Sequence, residues 1–191
     1  PGIDGDPRAE SLWMSPTWEI YETWCFSRLA ICIKNQYAGL EWHWDRAASS
    51  TGCTRLTGTS DLLRVQLSLQ CEFAAGNHPG KVFRSVSALF RPDLVLTLQV
   101  AGEPDRMLVL DAKYRSSRAS VLDAMRSAHI YQDALRWNGR RALATLLLIP
   151  RSDQVQWLQD PAFLAEHRVG VQALHPGTEL TELTALLERW F

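Results

Sequence analysis

The sequence predicts an α/β fold of the mixed, α+β kind, in which a mixed central β-sheet is flanked by helices. Three observations predict it. Apolar residues recur at helical spacing from residue 17 to about 37. Strand patterns separated by turn residues follow between 63 and 114. A second helical stretch at 119–137 then leads into a wholly apolar run at 142–149.

Taken in order, residues 1–16 are rich in Gly, Pro, Asp and Ser and read as a linker or arm. The first helix follows, with Trp18, Cys25, Leu29 and Ile33 on one stripe and Ser15 or Thr17 as N-cap. A short strand fits 40–44, and the small, polar stretch 45–60 reads as a surface loop. Strands are expected at 63–74, 82–86, 93–100 and 107–114, with turns marked by Asn77, Pro79 and Gly80 and by Gly102 and Pro104, giving a β-meander. Asn138 and Gly139 should end the second helix. The apolar run behind it, closed by Pro150, has the character of a strand buried on both faces. A further strand at 168–174 and a closing helix at 178–190, with Glu179 and Glu182 in its first turn, complete the chain. The domain reading is therefore an arm at 1–16, a core at 17–150, and a C-terminal extension of strand plus helix at 151–191 packed on that core.

A chain of 191 residues is long enough to bury one sizeable core. With 46% hydrophobic and 21% charged residues it lies well away from disordered compositions. The longest apolar run, 142–150, is too short for a membrane span, and no secretory leader pattern is visible, so a soluble, cytoplasmic protein is expected. The four cysteines, Cys25, Cys32, Cys53 and Cys71, lack CxxC or CxxH spacing, which argues for reduced, mostly buried thiols. A net charge of −1 argues against a protein that coats nucleic acid by bulk charge. Any basic surface must be local, and three clusters qualify: Lys81, Arg84 and Arg91; Lys113, Arg115 and Arg118; and Arg140 with Arg141. The chain starts at Pro1, which suggests an excised piece of something larger, with partner domains elsewhere.

The chemistry-bearing signal is RPDLVLTLQV followed by MLVLDAKYR. Period-two alternation puts Asp111 and Lys113 on one face of the later strand with Met107 and Val109. It likewise groups Asp93 with Val95, Thr97 and Gln99 on the earlier one. If the two strands form a hairpin, the parity of the connection decides whether the faces match. A four-residue loop would set Asp93 against Tyr114, on the wrong face. A five-residue loop or one bulge would set it against Lys113, with Asp111 diagonal at about 7 to 8 Å. The odd-length connection is the one expected. Two carboxylates so placed can share a divalent ion. A salt bridge on a solvated sheet face is the competing explanation for any D-x-K on a strand.

Glu22 weighs against that alternative. It lies within the apolar stripe of the first helix, near Trp18, Cys25, Phe26 and Leu29, whereas Glu19 shares a face with Thr23 and Ser27. A glutamate aimed into a core is a poor packing choice and a good metal-site choice; a snorkelling surface glutamate is the alternative.

Glu22 on a first helix, Pro92-Asp93, and Asp111-Ala112-Lys113 together resemble the PD-(D/E)xK nuclease superfamily, whose restriction-endonuclease-like core has this same element order. More narrowly, YETWCFSRLA at 21–30, RPDLVL at 91–96, LDAKYR at 110–115 and HIYQDAL at 129–135 are similar to the branch containing the McrC restriction subunit and DUF2357-type proteins. The resemblance spans about residues 15–150. It implies Glu22, Asp93, Asp111 and Lys113 as catalytic residues. Asp93, Asp111, the Ala112 backbone carbonyl and, through water, Glu22 would hold one or two Mg2+ or Mn2+ ions. The metal would activate a water, with Lys113 orienting it and stabilising charge on the scissile phosphate.

DNA is the expected substrate, within a restriction or defence system, with 5′-phosphate products suggested by the resemblance alone. Arg91, Arg115, Arg118 and Gln132 are the candidate nucleic-acid contacts. Further domains or a motor or recognition subunit are the expected partners, with a homodimer as another option. A non-catalytic binding module on the same fold and an RNA-directed nuclease are the alternatives. Tyr131 and Gln132 form a polar pair on the second helix for which packing is an equal reading. His129 and the other histidines show no metal-triad spacing. Trp42 and Trp44 suit packing better than base stacking.

Overall fold

The structure is a computed structural model and describes residues 17–46, 53–76 and 80–191. The arm at 1–16, with Ser15, and the turn residues Asn77 and Pro79 lie outside the described residues.

Helix α1 (Thr17–Gln36) opens the fold and buries Tyr21, Glu22, Cys25, Phe26, Leu29, Ala30, Cys32 and Ile33, the i, i+3, i+4 recurrence of an amphipathic helix. Trp18 does not join the stripe: it is 54% exposed, and the buried face begins one turn later at Tyr21. Strands β1 (Glu41–Arg46), β2 (Thr54–Thr59), β3 (Leu63–Leu69), β6 (Leu94–Val100) and β7 (Arg106–Ala112) pair antiparallel in that order. Helix α2 (Arg118–Ala134) crosses over to β9 (Ala144–Ile149), which lies parallel to β7, and β10 (Val169–Ala173) lies parallel to β9. The result is a seven-stranded mixed sheet, as the α/β reading expected. A three-stranded sheet of β4 (Ala74–Ala75), β5 (Phe83–Ser85) and β8 (Leu135–Trp137) packs beside it.

Alternation sorts the large sheet's side chains onto two faces. Val65, Leu67, Leu94, Leu96, Leu98, Leu108, Leu110, Leu146 and Leu148 pack against α1 and against Leu183, Leu186 and Leu187 of α4 (Leu180–Trp190). On the reverse face Leu147 and Ile149 meet Val121, Ala124, Met125 and Ala128 of α2, while Val95, Met107 and Val109 meet Phe73, Leu135 and Trp137 beside the small sheet. All four cysteines are buried and free.

Four expectations need correction. The strand expected at 82–86 does not sit in a meander between its neighbours, because β3 pairs directly with β6 and β5 lies in the small sheet. The stretch 45–60 is not all loop, because Thr54–Thr59 is strand β2; its outward face is polar, which hides the strand from a hydrophobicity reading. Gly58 is small enough to let the Trp42 indole lie on it, for an added Cβ would stand 2.8 Å from that ring. Asn138 and Gly139 do not cap the second helix. That helix ends at Ala134, and the pair, with φ of 48° and 80°, makes a tight turn whose flanks, Trp137 and Arg140, exchange backbone hydrogen bonds. Finally, the segment after Pro150 carries a 3-10 turn (Gln156–Gln159) and helix α3 (Pro161–His167) that were not expected. Asp160 caps α3 by accepting from the backbone N–H groups of Ala162 and Phe163, and Pro161 occupies its first turn, so the signal was present in the Asp-Pro pair.

Candidate active site

The hairpin of β6 and β7 sets the geometry. Leu94 pairs with Leu110 and Leu98 with Arg106, so Asp93, one residue before β6, comes opposite Asp111. The intervening stretch, residues 99–105, has an odd number of residues, as the parity argument required. It is longer than the five-residue loop considered, so the register shifts by two and Asp93 faces Asp111 rather than Lys113. Gly102, at φ 82°, supplies the turn.

Asp111 is 1% exposed. Its Oδ2 accepts from Lys113 Nζ at 2.8 Å and from Ser127 Oγ on α2 at 2.9 Å. Its Oδ1 is buried and has no hydrogen-bond partner among the described residues. Asp93 Oδ2 accepts from the Ala112 backbone N–H at 2.8 Å and lies 3.5 Å from Lys113 Nζ. The lysine ammonium thus sits against both carboxylates. Burial pushes the Asp93 carboxyl up to about 8, and repulsion from Asp111 adds to it against the pull of Lys113. Burial alone would lower the Lys113 ammonium, but Asp111 and Asp93 outweigh it and hold its pKa above the ordinary lysine value.

Glu22 reaches the same place from α1. It is 4% exposed, its Oε1 accepts from Gln70 Nε2 at 2.9 Å, and burial raises its carboxyl above the ordinary range. The structure therefore brings Glu22, Asp93, Asp111 and Lys113 together where β3 and β7 end and β6 begins.

Two neighbours escaped the sequence reading. Gln70 follows β3 with φ 56°, a left-handed conformation that costs a residue bearing a Cβ about 1 to 2 kcal/mol. Nothing in a lone glutamine after a strand announces that backbone. Ser127 on α2 is brought to Asp111 by the crossover, and no local pattern marks it among the other small residues of that helix. Tyr131, expected as packing or function on equal terms, meets Phe90 edge-on at 5.7 Å; burial, then Asp111 and Asp93, raise its pKa and keep the phenol protonated.

The other candidates are distributed differently. The Gln132 amide is engaged inside the fold, donating to the Ala142 carbonyl at 3.0 Å and accepting from Thr145 Oγ1 at 3.0 Å. Arg91 Nε donates to the Gln70 carbonyl at 3.2 Å, which places this guanidinium at the Gln70 turn. Arg115 lies 3.4 Å from Asp123, and Arg118 lies over the Trp157 ring at 5.3 Å, so both are at the surface beyond β7. Trp42 packs against the core, and Trp44 tilts onto Phe26 at 5.9 Å.

Whether these residues suit a divalent cation can be judged from their own chemistry. Among the described residues no three His, Cys, Asp or Glu side chains form a cluster that would hold a metal by themselves. Two carboxylates, though, face each other across adjacent strands, and one buried oxygen, Asp111 Oδ1, lacks a partner. The Ala112 N–H points to Asp93, and in a strand the N–H and C=O of one residue leave on the same edge, so the Ala112 carbonyl is directed to that side too. Such an all-oxygen set fits a hard ion such as Mg2+ or Mn2+.

Adjacent antiparallel strands of a mixed sheet thus present Asp93 and Asp111-Ala112-Lys113 beside a helix glutamate. A family model of the PD-(D/E)XK nuclease superfamily matches residues 19–154, and the chain belongs to that superfamily. No curated protein and no solved structure matches it significantly. Among the described residues no helix is long and apolar enough to cross a membrane.

Proposed function

We propose that this chain is a metal-dependent nuclease domain that hydrolyses phosphodiester bonds in DNA. The observation that carries the reading is the facing pair Asp93 and Asp111, with Lys113 between them and an unpartnered buried oxygen on Asp111. Asp93, Asp111 and the Ala112 carbonyl would hold Mg2+ or Mn2+, with Glu22 alongside. The bound ion supplies Lewis acidity, lowering the pKa of a water and neutralising phosphate charge.

The chain's own groups do the remaining work. Lys113, whose side chain is partly exposed, holds its ammonium against both acids, where it can donate to a phosphate oxygen as charge builds there. Ser127 keeps Asp111 from rotating, and Gln70 keeps Glu22 at the site. Arg91, and beyond β7 Arg115 and Arg118, are the cations proposed to receive a backbone. A net charge of −1 means that this local set, not the whole surface, must attract nucleic acid, which favours a domain working beside other domains or a motor or recognition subunit. The resemblance of four segments to the McrC and DUF2357-type branch favours a role in restriction or defence, in the cytoplasm.

Plasmid nicking with Mg2+ or Mn2+ tests this. Wild type should nick, and Asp111→Ala and Lys113→Ala should each lose at least about 100-fold, the usual scale for removing one charge-stabilising group from an active site. Wild type that cuts no better than these variants with any divalent ion, its natural neighbours supplied, would leave a binding module as the reading. Single-stranded DNA and RNA run in parallel decide the substrate class.

A further inference from the structure

We infer that Gln70 is a positioning residue that locks the Glu22 carboxylate to the Asp93 loop and so sets the site's affinity for a divalent cation. The inference rests on the metal-site reading above and deepens it.

Strand alternation is the first ground. Val65 and Leu67 of β3 point to the α1 side of the sheet, so Arg64, Gln66 and Ser68 point to the other. Continued one step, Gln70 would project away from α1. The left-handed turn at Gln70 breaks the alternation. Its side chain reaches Glu22 on α1 instead, and Cys71 enters the opposite cluster beside Val95, Met107 and Val109. A backbone conformation disfavoured for any residue with a Cβ is thus what delivers this amide to the glutamate.

The second ground is where the rest of the residue goes. The Gln70 N–H donates to the Asp93 carbonyl at 2.6 Å, and its own carbonyl accepts from Arg91 Nε at 3.2 Å. One residue therefore touches the loop bearing Asp93 through its main chain and Glu22 through its side chain. These two carboxylates come from separate elements, α1 and the segment before β6. A neutral amide donor also steers Glu22 without cancelling its charge, which a lysine or arginine there would do.

The test uses Gln70→Gly, which relieves the positive φ while deleting the side chain, and Gln70→Asn, which tolerates that φ but falls short of Glu22. Mn2+ binding is measured calorimetrically without nucleic acid, alongside melting temperature and the Mg2+ concentration for half-maximal nicking. Gln70→Gly should melt no lower than wild type yet bind Mn2+ on the order of tenfold more weakly, as expected for losing one hydrogen bond to a charged group. Its Mg2+ requirement should rise in parallel. In a Glu22→Gln background, Gln70→Gly should add little further loss, because the two act as one unit.

Normal Mn2+ affinity in Gln70→Gly, or an undiminished loss in the Glu22→Gln background, overturns the inference. If the glycine variant melts lower, Gln70→Asn decides by the same criteria. Wild type that binds Mn2+ but does not cut defeats the nuclease reading while leaving Gln70 to be judged on binding, and wild type that binds no Mn2+ defeats both.

Discussion

A carboxyl group withdrawn from water and set against a second carboxyl group resists ionisation, and Asp93 is in that position. Its value of about 8 lies above the ordinary 3.8, so between those limits the folded chain holds a proton that the unfolded chain releases. Stability contributed by that proton is complete below the unfolded value and is lost as pH rises through the folded one. In EDTA, the melting temperature of Asp93→Asn should therefore exceed that of wild type by a margin that grows from pH 5 to pH 8. A margin independent of pH contradicts the assignment. If the site holds a cation as proposed, saturating Mg2+ should shrink it, because the ion would stabilise the ionised pair and Asp93→Asn would remove one of its ligands. Ser127 acts on the neighbouring carboxylate through one hydrogen bond of 2.9 Å. Ser127→Ala should lower the nicking rate about tenfold, the scale of a bond to a charged group. Its melting temperature should hold or rise, because alanine suits a helix better than serine. A rate equal to wild type would mean that Asp111 needs no such restraint.

Elements place these groups. The β6–β7 hairpin brings the acids face to face, α2 delivers Ser127 and Tyr131 as it crosses to β9, and α1 brings Glu22 in from the other side of the sheet. The parallel pairing of β10 with β9 depends on close approach from the 3-10 turn and α3. An added Cβ at Gly170 would stand 2.3 Å from the Leu158 carbonyl oxygen and 2.3 Å from Leu164 Cδ2. Backbone cannot step aside as a side-chain tip can, so Gly170→Ala should cost about 2 to 3 kcal/mol in urea unfolding. A loss under about 0.5 kcal/mol, the range of ordinary surface changes, would show that this layer is looser than drawn.

At the scale of the molecule, the family match ends at residue 154, yet the packing does not. Leu174, Leu183, Leu186 and Leu187 share one buried cluster with α1 and the strands, Tyr21 donates to the Leu174 carbonyl at 2.8 Å, and Arg28 donates to that of Thr178 at 2.8 Å. Residues 155–191 thus pack on the core, and we propose that they fold together with it. A chain cut after residue 154 should lose cooperative thermal unfolding and expose apolar surface to a hydrophobic dye. A soluble fragment with a sharp transition would instead make the C-terminal part a separable layer.

Much of this was legible in the residues themselves. Period-two alternation put Asp111 and Lys113 on one face of the later strand and left the side of Asp93 to the parity of the connection, and helical spacing separated Glu22 from Glu19, because strand and helix geometry act on side-chain direction within a few residues. Local chemistry also marked six strands of the large sheet, but not β2, whose polar outer face masks its pattern, nor α3 with the 3-10 turn before it, and it put 82–86 into the meander although β5 belongs to the small sheet. What the tertiary structure alone decided were the relations between distant segments: the two-residue shift that sets Asp93 against Asp111, the arrival of Ser127 from α2, and the turn at Gln70 that joins Glu22 to the Asp93 loop. Each depends on where a second element packs, and no local pattern in the sequence records that distance.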